Sequence, residues 1–135
     1  MANKKSGLLT QAELSLMNVF WERGESSIRQ VRQHITNGET IPYTTVAAIV
    51  RILAKKNFLH QRLDGKTIYY KPAIIKKDYE SRTVDQLVKR LFNNIPVNLA
   101  LRLIDDHDLT AEEIIEIKSM LDSKLERITG EVPSE

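Results

Sequence analysis

Residues 41–72, IPYTTVAAIVRILAKKNFLHQRLDGKTIYYKP, constrain the fold more tightly than any other stretch. A helix is expected from near Pro42. At 100° per residue, Val46, Ile49, Val50 and Leu53 share one narrow apolar arc, while Thr44, Ala48, Arg51 and Lys55 share the opposite one. Thr45, Ala47 and Ile52 fall on the flanks, and Asn57 can take the left-handed conformation that ends the helix. Asp64-Gly65 then signals a two-residue hairpin, which predicts Arg62 opposite Thr67, His60 opposite Tyr69 and Leu59 opposite Tyr70. One face of that hairpin would send Leu59, Ile68 and Tyr70 to the core, and the other would show His60, Arg62, Thr67 and Tyr69. Pro72 closes the second strand.

Two shorter helices precede this unit. Thr10 and Glu13 have the spacing of a capping box, and Leu9 and Leu14 that of a hydrophobic staple. The helix they open runs through Met17, Phe20 and Trp21 to a stop at Gly24. Ser27 with Gln30 caps a second helix bearing Ile28, Val31 and Ile35, which Asn37-Gly38 ends. Helices followed by a hairpin in this order predict a mainly α, α+β fold: an N-terminal winged helix-turn-helix with a two-stranded wing.

The second half shows helices only, expected over 78–92, 97–104 and from Thr110 to about Arg127, with Asp105-Asp106-His107-Asp108 as a polar loop. The domain reading is therefore 1–75 for the winged helix, 76–130 for a helical region, and 131–135 for a loose tail. Three helices of this length make a marginal core. Leu91, Phe92, Leu99, Leu101, Leu103, Ile117, Leu121 and Leu125 consequently need another surface. A two-fold copy of the chain would supply it, with packing onto the first half as the alternative.

Charge separates the halves. Through Ile75 there are 11 Lys+Arg against 5 Asp+Glu, and from Lys76 onward 9 against 13. A basic first half suggests a polyanionic partner, although a solvated surface can be asymmetric for no functional reason. The absence of Cys excludes disulfides and thiolate metal sites. No apolar run is long enough for a membrane span, and MANKKSG lacks the apolar stretch of a secretory signal, so a cytoplasmic protein is expected.

A helix fits the major groove of B-DNA, and its first turns reach base edges. Thr44, Thr45 and Ala48 are short enough to allow close approach, and their methyls can meet thymine methyls. Tyr43 can reach a phosphate or a base edge. Arg51, Lys55, Arg62, Lys66 and Arg29 are candidates for phosphate contact. Plainer readings stand beside these: the threonines can satisfy first-turn amides, Arg62 and Lys66 can guard an edge strand, and Arg29 can be a solvated charge.

Catalysis finds little support. His34, His60 and His107 lie in three separate segments, and the Asp-rich run around His107 lacks the Gly and distal Glu of a calcium loop. There is no nucleophile elbow, P-loop or dinucleotide fingerprint. No enzyme, metal or cofactor is expected.

The strings LTQAELSLMNVFW, PYTTVAAIVRILAKKNFL, RLDGKTIYYKP and LALRLIDDHDLTAEEIIEIKSML together resemble the penicillinase-repressor (BlaI/MecI) family, from Leu9 to about Arg127. That resemblance implies a homodimer whose winged helices grip a palindromic operator in double-stranded DNA and block transcription. It carries the recognition-helix start onto Tyr43, Thr44, Thr45 and Val46, and the wing Gly with its basic neighbour onto Gly65 and Lys66. The dimer helices map to 78–92, 97–104 and 110–127. This chain departs from the family in having Ile52 where an Arg is usual, beside Arg51, and Asn57 where a Gly is usual. It also lacks the Cys-rich tail of the copper-responsive branch. In the antibiotic-resistance branch a sensor protease cuts an Asn-Phe bond, and the aligned pair here is Arg102-Leu103. Two other readings remain open from the residues: a winged helix used for protein–protein contact, and a ligand-gated DNA-binding regulator.

Overall fold

The computed structural model describes residues 8–35 and 41–130. The expected stop at Asn37-Gly38 and the tail at 131–135 lie outside the described residues. Helix α1 (Gln11–Arg23) opens with the expected capping box. The Thr10 side chain accepts from the Glu13 amide, and the Glu13 carboxylate accepts from the Thr10 amide at 2.9 Å. Gly24, at φ 84°, ends α1. Ser27 and Gln30 close a second box over α2 (Ile28–Gln33), which is capped by His34.

Helix α3 (Tyr43–Lys55) follows, with Pro42 as N-cap. Asn57 takes φ 70°, while the Phe58 amide donates to Leu53 O and the Asn57 amide to Ala54 O. These bonds make a Schellman ending, with Phe58 and Leu53 both buried beside it. Strands β2 (Leu59–Asp64) and β3 (Thr67–Pro72) then form the expected antiparallel hairpin.

A third strand, β1 (Ser26–Ser27), joins them in the order β1-β3-β2, so the wing's second strand is central. Two residues between a helix stop and a helix cap are too short to show an alternating pattern, and only the tertiary fold reveals this strand.

The hairpin register differs from the expected one. Asp64 pairs with Thr67, Arg62 with Tyr69, and Leu59 with Pro72, so the turn residues are Gly65 and Lys66. With Gly65 first in the loop, at φ 66°, one residue meets the positive-φ requirement, as in a type II′ turn. An Asp64-Gly65 turn of type I′ would have required it of Asp64 as well. Moving the turn by one residue leaves every side chain on its expected face. Leu59 and Tyr70 are buried, but Ile68 lies beyond the core at 39% exposure.

The core joins Leu16, Met17 and Phe20 of α1, Val31 of α2, Val50 and Leu53 of α3, and Tyr70 of β3. Full burial of each large apolar side chain contributes roughly 1.5–3 kcal/mol. Helix α4 (Lys76–Leu91) sends Tyr79 into the same core, where its ring lies 5.8 Å from Trp21 and 5.9 Å from Phe58. The Tyr79 hydroxyl accepts from the Leu9 amide at 2.9 Å.

The chain divides into two compact units between Gln86 and Leu87. The second unit contains α5 (Pro96–Asp106) and α6 (Ala111–Thr129). Thr110 and Glu113 close a third capping box at the start of α6, and Gly130 ends it in the left-handed conformation. Asp105 and Asp106, expected in a loop, belong to the last turn of α5, with His107 as its C-cap. The His107 ring bonds through Nδ1 to Leu103 O at 3.2 Å, which extends the helix end. Neither α5 nor α6 buries a residue.

Candidate nucleic-acid interface

The outward arc of α3 is exposed as the periodicity requires: Thr44, Ala48, Arg51 and Lys55 face solvent, as do Tyr43 and the flanking Thr45. Ala47, placed on a flank, is buried, and Ile52 on the other flank is exposed. Pro42 makes no side-chain cap, and its carbonyl accepts from the amides of Thr45 and Val46. Arg32 fixes the entry to the helix by donating from Nε to Ile41 O at 2.6 Å, a role not visible in its spacing.

The Lys-Lys exit splits by function. Lys55 points outward, whereas Lys56 turns in and bonds the Glu13 carboxylate at 2.9 Å. Burial pushes the Glu13 carboxyl upward. The Lys56 hydrogen bond, the Thr10 amide and the Lys56 charge together outweigh that and hold it below its ordinary value. Glu13 thus caps α1 and anchors the end of α3 with one side chain.

A concave cleft of about 540 Å³ opens beside the exposed face of α3. Its walls come from three elements: Arg29 from α2, Tyr43 and Arg51 from α3, and Lys66 and Tyr69 from the wing. Four of the nine candidate DNA-contact residues, Arg29, Tyr43, Arg51 and Lys66, therefore meet around one hollow. Cations converging on a concave surface focus potential on a polyanion. Thr44, Thr45, Ala48 and Lys55 are exposed along α3 but do not line this hollow.

Arg62 is placed differently. Its Nε and Nη2 donate to the two Glu25 oxygens at 3.0 and 2.8 Å, and Nη1 lies 3.7 Å from Asp64. The guanidinium also sits 5.1 Å from the Tyr69 ring centroid. The Arg62 hydrogen bond lowers the Glu25 pKa, and the same bond raises that of Arg62. Glu25, between α1 and β1, had no sequence signal beyond its charge.

A recognition-type helix, a β-wing and a basic cleft between them define a winged-helix DNA-binding protein. A family model described as penicillinase repressor matches residues 9–123, and the chain belongs to that family, which is one of transcriptional repressors rather than enzymes. It is similar to the penicillinase repressor of Bacillus licheniformis, 25% identical over 124 residues that cover 92% of this chain and 97% of that one. It is also similar to the methicillin resistance regulatory protein MecI of Staphylococcus aureus (strain N315), 22% identical over 122 residues that cover 90% and 99%. A solution structure of Bacillus licheniformis BlaI, in its monomeric form in complex with the blaP half-operator, shares 26% identity. That likeness covers 54% of this chain and 89% of the other, with a TM-score of 0.46.

Proposed function

We propose that this chain, a DNA-binding transcriptional repressor, acts in the cytoplasm as a homodimer on an inverted-repeat operator. Residues 1–75 serve as the reading head and 76–130 as the dimerisation region. Thr44, Thr45 and Ala48 face base edges in the major groove, while Arg29, Arg51, Lys55 and Lys66 face phosphates. The convergence of Arg29, Arg51 and Lys66 on one cleft is the observation that carries the DNA-binding assignment.

The dimer rests on the second unit. Leu91, Leu101, Leu103, Leu121 and Leu125 are exposed, and Phe92, Leu99 and Ile117 are only half-buried. An uncovered apolar surface of this extent marks an association site. Joining two heads raises the affinity of each for its half-site through effective concentration. Whatever separates the copies therefore releases the DNA. The aligned Arg102-Leu103 bond lies exposed in α5, but its residues are not the Asn-Phe pair that the sensor protease of the antibiotic-resistance branch cuts, so the releasing agent is left open between proteolysis, a ligand and competition. A helical backbone there must unwind before it fits a protease cleft.

Selection of bound fragments from random duplex DNA tests the reading. Recovery of an inverted repeat is expected, and failure to enrich any sequence in dilute buffer would refute it. Light scattering at micromolar concentration should give twice the chain mass.

A further inference from the structure

Arg62 and Glu25 span the whole sheet. Ser27 pairs with Tyr69 and Tyr69 with Arg62, so one row crosses β1, β3 and β2. Glu25 stands beyond Ser26 at the β1 edge, and Arg62 reaches it from the opposite edge by passing over Tyr69. A bidentate fork stacked on an aromatic ring is a better-defined geometry than an ordinary exposed ion pair. All three guanidinium nitrogens face carboxylates: Nε and Nη2 face Glu25, and Nη1 faces Asp64. A phosphate approaching Arg62 would have to displace one carboxylate and meet the repulsion of the other.

We infer that Glu25 is a positioning residue, which holds Arg62 as a brace across the three-stranded sheet and so sets the wing that presents Tyr69 and Lys66. On this assignment Arg62 touches no phosphate. The brace fixes the wing against the α1–α2 connection, on the wall that shares the basic cleft with Arg51. The inference rests on the DNA-binding reading for its consequence, though the brace itself exists in the free chain.

The test uses the full chain with Glu25→Gln, Arg62→Gln, Arg62→Lys and Lys66→Ala, binding a mixed-sequence duplex followed by fluorescence anisotropy across a salt series. Each brace variant should weaken binding about two- to fivefold, the size expected for an exposed pair, without changing the salt slope. Arg62→Lys should behave as Arg62→Gln, because an ammonium keeps the charge but cannot make the fork. Lys66→Ala should lower the slope by about 0.9 per copy bound. The inference is overturned if Arg62→Gln lowers the slope as Lys66→Ala does, if Arg62→Lys keeps full affinity, or if Glu25→Gln tightens binding by freeing Arg62. In the free protein, the Arg62 Nε–H resonance should exchange slowly and lose that protection in Glu25→Gln; unchanged protection would also overturn it. A wild-type chain that ignores duplex DNA would count against the functional reading, and the resonance experiment would still decide the brace.

Discussion

Salt dependence offers the sharpest quantitative test of the interface. Arg29, Arg51 and Lys66 surround the cleft, and Lys55 is exposed on the outer face of α3. Arg62 is removed from the set because Glu25 and Asp64 occupy its nitrogens. Each neutralised phosphate contributes about −0.9 to the slope of log K against log salt, so these side chains predict about −3.6 for one head and about −7 for two. Between 50 and 200 mM salt, that slope corresponds to a loss of roughly 10⁴-fold in dimer affinity. Lys66→Ala should bring the dimer slope to about −5.4 and should weaken all sequences alike. Anisotropy titrations on a selected duplex and on a scrambled one would measure both. If Lys66→Ala left the slope intact, or weakened the selected duplex alone, the cleft would not be where phosphates bind.

Thr45→Ala should change the preference between duplex sequences while preserving the salt slope, as competition between base-pair variants would show; a uniform loss would remove Thr45 from base readout. Leu121→Lys and Leu125→Lys should each convert the proposed dimer to a monomer by light scattering and weaken DNA binding, while leaving the melting of the first unit unchanged. Glu13→Gln should cost roughly 1 kcal/mol, because Gln retains the capping box but loses the charged bond to Lys56. Since the folded Glu13 carboxyl lies below its ordinary value, its charge stabilises the fold above the unfolded pKa of about 4.3 and that contribution fades as pH falls through the folded one. The melting temperature of Glu13→Gln should accordingly vary less than wild type over that acid range, and equal variation would show that the ion pair contributes nothing.

The elements were legible because their signals are local. Three capping boxes rest on Thr10 and Glu13, Ser27 and Gln30, and Thr110 and Glu113, each three residues apart, and each forms as its spacing requires. The arc from Val46 to Leu53 states which side of α3 is buried, and so exposes Thr44, Ala48, Arg51 and Lys55 without reference to any partner. The hairpin was visible in Asp64-Gly65, but its register turned on which residue had to accept positive φ, a difference of one position.

Charge partnerships are another matter. Lys55 and Lys56 are adjacent and chemically identical, yet one is exposed and the other is held by Glu13, 43 residues away. Arg62 and Lys66 both look like wing cations in the chain, and the carboxylates of Asp64 and of Glu25, 37 residues earlier, separate their roles. Helix periodicity and caps depend on neighbours within four residues, which the order of amino acids specifies directly. Which carboxylate a cation meets depends on how sheet and helices bring distant segments together, and that was decided by the packing of β1 against β3 and of α1 against α3.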